Sequence, residues 1–361
     1  MHDPTEFATI YHVGDTPAAT DTMVGIIAAG DLTQVEQNLD DFVSQHQLDA
    51  PAVHVVNAGP AGSPYENDDA GNGEWSMDSQ TIIGVSGGVK GLIFYAAPDN
   101  GQEVRPVTPE NIIYAYDRAV GDDVVKVISD SAGGDSEDYY KSEGYLDAAN
   151  VLFKQAVAQG QTISVGSGDD GAYDSVYDGI NPKSPTDYSV DGEAASPYVV
   201  AVGGTTLYTN GTTYSSETAW SSTGGGVSKY EAIPAWQTSV LGSSATKRGL
   251  PDVAFDADPS SGVLVDLGGF SEPIGGTSLS APIFAALWAR LETAHANQLG
   301  FAAPWLYRYI AKNPVVVHDV VEGNNGQNGY GYSAKRGWDY VSGWGSLDVQ
   351  AFNRLLPVVA N

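Results

Sequence analysis

The chain has 361 residues, 42% of them hydrophobic, and its 45 acidic side chains against 16 basic ones give a formal charge of −29. That is enough apolar material for a sizeable core, as one large domain or two intimate ones, and too much negative charge for nucleic acid or an anionic membrane surface as partners. Cysteine is absent, so disulfides and thiolate zinc sites are excluded, and neither a spanning apolar run nor a basic-then-apolar leader occurs.

Near the sequence pI of about 4.2 the mutual repulsion of these charges largely vanishes. Service in acid and adaptation to high salt both account for such a composition.

In chain order, residues 24–30 read as a buried strand, followed by Val35, Leu39, Phe42 and Val43 at helical spacing, which makes a βα unit. Residues 53–56 offer a second strand, 60–73 a loop rich in Gly, Asn and Asp, and 73–83 a helix. A third buried strand spans 91–97. Thr108 caps a helix with Pro109 at its first position and Ile112, Ile113 and Tyr116 as its apolar stripe. Strands at 124–129 and 161–165 flank a helix at 145–159, and 198–202 resumes the strand pattern after an aperiodic stretch at 169–197. Alternating strands and helices imply a mostly parallel sheet covered on both faces. The segment 205–226 reads as polar and turn-rich, 277–291 as an almost wholly apolar helix, and 315–348 as a region of glycines and oxygen-bearing side chains.

Three places carry chemistry. Ser278 opens the apolar helix behind Gly275-Gly276-Thr277, where the first N–H groups have no intrahelical partner and the helix dipole favours a developing oxyanion; Pro282 suits a first turn. An N-cap at Thr277 or Ser278 with packing glycines accounts for the same residues. Glu74 and Asp78, four apart, share a helix face, where a close carboxylate pair shares a proton and at least one pKa rises; a solvated acidic helix start is the plainer account. Asp169 follows a strand within Gly166-Ser167-Gly168-Asp169-Asp170-Gly171. That run matches a dinucleotide fingerprint in form only, since no helical stripe follows. A carboxyl kept protonated at a strand's C-terminal end would donate to an oxyanion. The six histidines, at 2, 12, 46, 54, 295 and 318, form no catalytic pattern, so the base is expected to be a carboxylate.

Together, the segments Gly73-Glu74-Trp75-Ser76-Met77-Asp78-Ser79-Gln80, Ser167-Gly168-Asp169 and Gly276-Thr277-Ser278 resemble those of the sedolisin family, serine-carboxyl peptidases that look like subtilisins with a carboxylate base in place of histidine. The resemblance runs from Pro4-Thr5-Glu6-Phe7 to Gly343-Trp344-Gly345-Ser346-Leu347-Asp348. It implies a subtilisin-like α/β fold, one catalytic domain over 1–361, and an acid-acting endopeptidase. In it Glu74 is general base and acid, Asp78 orients it, Ser278 forms an acyl-enzyme and Asp169 assists the oxyanion. It further implies one structural Ca2+ in the 315–348 region, held by the side chains of Asp319 and Asp339 and the carbonyls of Val320, Lys335 and Gly337.

By the same resemblance the expected partners are protein or peptide substrates and the chain's own prosegment. The chain is expected to be the mature, secreted form and a monomer, with no nucleic-acid or membrane partner. Two departures bear on the cleft: Gly134 stands where relatives often carry tryptophan, and Glu137 is displaced by one position. A catalytically inactive, calcium-stabilised binding protein on this scaffold, and a neutral histidine-dependent serine hydrolase, are the alternatives.

Overall fold

The computed structural model describes residues 1–99, 101, 107–174, 186–326 and 329–357. In chain order its elements are a 3-10 turn (Pro4–Glu6), α1 (Phe7–Ile10), β1 (Ala19–Ala29), α2 (Thr33–Gln45), β2 (Val53–Asn57), α3 (Asp69–Ser86), β3 (Val89–Ala97), α4 (Pro109–Asp122), β4 (Val127–Asp130), α5 (Glu137–Glu143), α6 (Tyr145–Gln159), β5 (Thr162–Gly166) and β6 (Val200–Asn210). Then follow β7 (Thr213–Ala219), β8 (Gly226–Ala232), α7 (Thr238–Leu241), β9 (Lys247–Leu250), β10 (Val253–Asp256), β11 (Val263–Leu267), β12 (Phe270–Ile274), α8 (Thr277–Ala294), α9 (Ala303–Ile310), β13 (Val317–His318), β14 (Ser346–Leu347) and α10 (Val349–Asn353).

The main sheet runs β10-β6-β5-β4-β1-β3-β2, every neighbouring pair parallel, with β7 added antiparallel to β6. Its central strands are near-continuous runs of buried Val, Ile, Ala and Phe, as a sheet covered on both faces requires. Helices α3 and α8 pack on each other over one side, and α4 with α6 over the other.

Two helices hold the site, and both are buried nearly all round. Asp68 caps α3 by accepting from the N–H groups of Ala70 and Gly71, which starts the helix at Asp69, four residues before the apolar pattern announces it. From Trp75 to Ser86 every residue of α3 is buried. Within it, Gln80 exchanges two hydrogen bonds with the Asp266 backbone, at 2.8 and 2.9 Å. Gly84 is where the chain's first turn presses in, since a Cβ there would stand 2.8 Å from the Pro4 carbonyl carbon.

Three expectations are corrected. The segment 205–226 is not simply a loop: β6 continues to Asn210 and returns as β7 through a turn at Gly211, with Thr205 opposite Ala219. The hairpin lies at the sheet's margin, so its outward residues are polar and hide the strand period. The strand placed at 124–129 begins at Val127 and ends at Asp130. Pro282 lies in the second turn of α8 rather than its first.

Candidate active site

Ser278 is the second residue of α8, set by Gly276 at φ +99°, a backbone sign that favours glycine. Space demands glycine there too, because a Cβ would stand 2.8 Å from Asp169 Oδ2. Asp169 lies just past the C-terminal end of β5 and is clamped to Thr277, the residue before Ser278: the Thr277 N–H and its hydroxyl each donate to Asp169 Oδ1 at 2.8 Å. The Gly168 N–H in turn donates to Thr277 Oγ1 at 3.1 Å. Burial raises the Asp169 pKa and the two Thr277 donors pull it back. With Oδ1 engaged by both donors, a proton on this carboxyl belongs on Oδ2.

Glu74 and Asp78 lie one turn apart on α3. Glu74 faces the cleft; burial raises its pKa, the Ser278 side chain pulls it down, and the charges of Asp169 and Asp130 push it up again. Asp78 sits behind it, fully buried, and accepts from Ser131 Oγ at 2.9 Å. Its pKa is raised well above the carboxylate range, by burial first and by the Glu74 charge next.

Around Ser278 opens a cleft of about 410 Å³ whose walls include Glu74, Trp75, Asp130, Ser131, Gly133, Gly134, Asp169 and Asp174. Among the described residues no imidazole lines it; the described contacts of His2, His12, His46 and His295 are with Glu6, Asp348, Asp3 and Asn353, and His318 stacks on Tyr214.

Residues 22–345 match the model of the subtilase family. Across 96% of its length the chain is 45% identical to sedolisin of Pseudomonas sp. (strain 101). The solved structure of Pseudomonas sedolisin, a serine-carboxyl proteinase complexed with two molecules of pseudo-iodotyrostatin, aligns with TM-score 0.92 at 43% identity, covering 98% of this chain and 97% of that one. The chain belongs to the subtilase family, in its sedolisin branch. Xanthomonalisin of Xanthomonas sp. (strain T-22) is 42% identical over 98% of the chain. The chain spans 60% of the length of the sedolisin sequence and 46% of that of xanthomonalisin.

In this sedolisin-family fold the four residues singled out by sequence converge: Glu74, Asp169 and Ser278 line the cleft and Asp78 backs it. Sequence reading missed Asp130, which reaches the cleft from the end of β4, accepts from the Tyr116 hydroxyl and, at 3.0 Å, from the Ala132 N–H, and is pushed up to about 6 by burial. An acid at a strand's carboxyl end is the signal that marks it. The displaced Glu137 lies outside the cleft walls, fully buried, accepting from Ser228 Oγ at 2.6 Å and the Lys229 N–H at 2.8 Å. Gly134 opens that wall and donates its N–H to Asp191 Oδ2 at 3.0 Å.

Of the residues expected around calcium, Asp319, Lys335, Gly337 and Asp339 are joined by hydrogen bonds. The Gly337 N–H donates to Asp319 Oδ2 at 2.9 Å and the Lys335 N–H to Asp339 Oδ2 at 2.8 Å, so both carboxylates meet one turn. Burial raises the pKa of both aspartates. Among the described residues no group of three or more His, Cys, Asp or Glu side chains is placed to hold a metal. Two carboxylates supplemented by carbonyls are a hard-oxygen donor set that suits calcium and not a transition metal.

Proposed function

We propose that this chain is a serine-type endopeptidase that hydrolyses peptide bonds in acid through an acyl-enzyme on Ser278. One observation carries the reading: the cleft walls around Ser278 bring together the carboxyls of Glu74, Asp130 and Asp169, and no imidazole is among the described residues that line it. Ser278 Oγ attacks the scissile carbonyl carbon while its proton passes to Glu74. The carbonyl oxygen, now an oxyanion, is met by a protonated Asp169 and by the first-turn N–H of α8. Glu74 then protonates the leaving amine, the acyl-enzyme forms, and water reverses the sequence with Glu74 as base. Asp78 holds Glu74 in place and shares its proton.

A structural Ca2+ would be held by Asp319 and Asp339 with the carbonyls of Val320, Lys335 and Gly337. The working form would be a secreted monomer, freed of a prosegment that is removed before activity. Calcium would lend the 319–339 loop rigidity and takes no part in the proton transfers. The decisive experiment assays a protein substrate across pH with Ser278→Ala and Glu74→Ala. Each is expected to abolish cleavage, and internal cleavage products distinguish an endopeptidase from an enzyme that trims ends. Normal turnover by either variant would overturn the assignment.

A further inference from the structure

Ser131 Oγ lies 2.9 Å from Asp78 Oδ1 and 3.1 Å from the carbonyl oxygen of Ser278. The second acceptor is available for a reason written in α8. A helical carbonyl takes its hydrogen bond from the N–H four residues on, and for Ser278 that residue is Pro282, which has none. Ser131 supplies the missing donor. Its one hydroxyl hydrogen therefore serves two acceptors, one on the orienting acid and one on the nucleophile's own backbone.

We infer that Ser131 is a positioning residue for the reaction proposed above, tying the charge on the Glu74–Asp78 pair to the seating of the nucleophile. When Asp78 carries the charge, the hydroxyl points to Oδ1 and holds the carboxylate. When a proton occupies that carboxyl, the hydroxyl is free to turn to the Ser278 carbonyl and fix the first turn of α8. The link is local and spans only the loop after β4, the side chain of α3 and the start of α8. The charged groups that bear on Asp78 are Glu74 on its own helix and Asp130 from β4, and Glu74 in turn feels Asp169.

The inference rests on the catalytic reading, and its test separates the two. Inactive Ser278→Ala and Glu74→Ala variants secure that reading first. Ser131→Ala should then lower kcat about 10- to 100-fold with KM nearly unchanged, the scale of losing one hydrogen bond to a charged group. The acid limb of the pH profile should move to higher pH, because the lost donor favoured the ionised form. Ser131→Thr, which keeps the hydroxyl, should restore most of both. Pro282→Ala returns an N–H to the Ser278 carbonyl, leaves Ser131 wholly to Asp78, and should move the acid limb to lower pH. Carboxyl-labelled NMR of Asp78 reads the same shifts without turnover. Unchanged kcat and an unmoved limb in Ser131→Ala, or an unmoved Asp78 titration in Pro282→Ala, would overturn the inference even if both variants lose thermal stability.

Discussion

Glu74 Oε1 and Asp78 Oδ2, one turn apart on α3, are both buried oxygens without a hydrogen-bond partner among the described residues. A single proton held between two carboxyls gives each an interaction that two carboxylates deny each other. The Asp78→Asn variant keeps an oxygen for Ser131 but cannot pass a proton. Its kcat/KM should fall by about 10²- to 10³-fold across the whole pH range. A profile matching the parent in height would show that Glu74 works alone.

Asp130 tests the same pair from outside. Its charge raises the pKa of both Glu74 and Asp78, so Asp130→Asn removes a neighbouring negative charge and makes their ionised forms easier to reach. The acid limb of activity should move to lower pH while the fold persists, since asparagine can still accept from the Ala132 N–H with its oxygen and can donate its amide N–H to the Tyr116 oxygen. A shift toward higher pH would mean that Asp130 works by some route other than its charge.

At Asp169 the asparagine variant separates two roles. Asparagine can accept from Thr277 with its oxygen and donate with its amide, which mimics a protonated aspartic acid. Asp169→Ala should lose about 10²- to 10³-fold in kcat, the scale for one oxyanion donor, while Asp169→Asn should keep far more. Equal losses in the two variants would rule out a neutral donor at this position.

Buried acids also set a pH dependence for stability. Burial pushes Glu137, Asp191 and Asp256 each up to about 7, from ordinary values of 4.5 for the glutamate and 3.8 for the aspartates. The folded chain therefore keeps protons that the unfolded chain has released over that interval. Their stabilising contribution is complete below the ordinary carboxylate range and is lost as pH rises through about 7. One such shift is worth roughly 3 to 4 kcal/mol, and self-repulsion of the −29 charge acts in the same direction. The melting temperature at constant salt should be highest in acid and fall by several degrees towards neutrality. A flat profile would mean that these acids ionise without cost.

Much of the fold was legible because its strands and helices carry their own periods: the helix expected at 145–159 is α6 to the residue. The Glu74–Asp78 relation was legible as well, since spacing within one helix fixes it. Contacts between distant segments were not. The Asp169–Thr277 clamp joins residues 108 apart, and nothing in either segment alone names the other; only the family resemblance placed them together. Gly134 marked the cleft segment in the sequence, but nothing there singled out Ser131, whose double bond depends on Pro282 and on its place in the second turn of α8. The β11–β12 hairpin went unread although Gly268 and Gly269, at φ +63° and +86°, are the turn signal it offers.

Asp319 and Asp339 are held by backbone donors of one turn, yet burial raises the pKa of each, so their charge is only partly compensated by those donors. A bound Ca2+ would supply the missing compensation and, by binding the folded chain alone, add about 3 kcal/mol at a hundredfold excess over Kd. Excess chelator should therefore lower the melting temperature, and added calcium should restore it. Asp339→Asn should melt low from the outset and respond weakly to either. An unchanged melting temperature in chelator, with the parent and the variant alike, would remove calcium from the account and leave Asp319 and Asp339 as loop-closing acceptors.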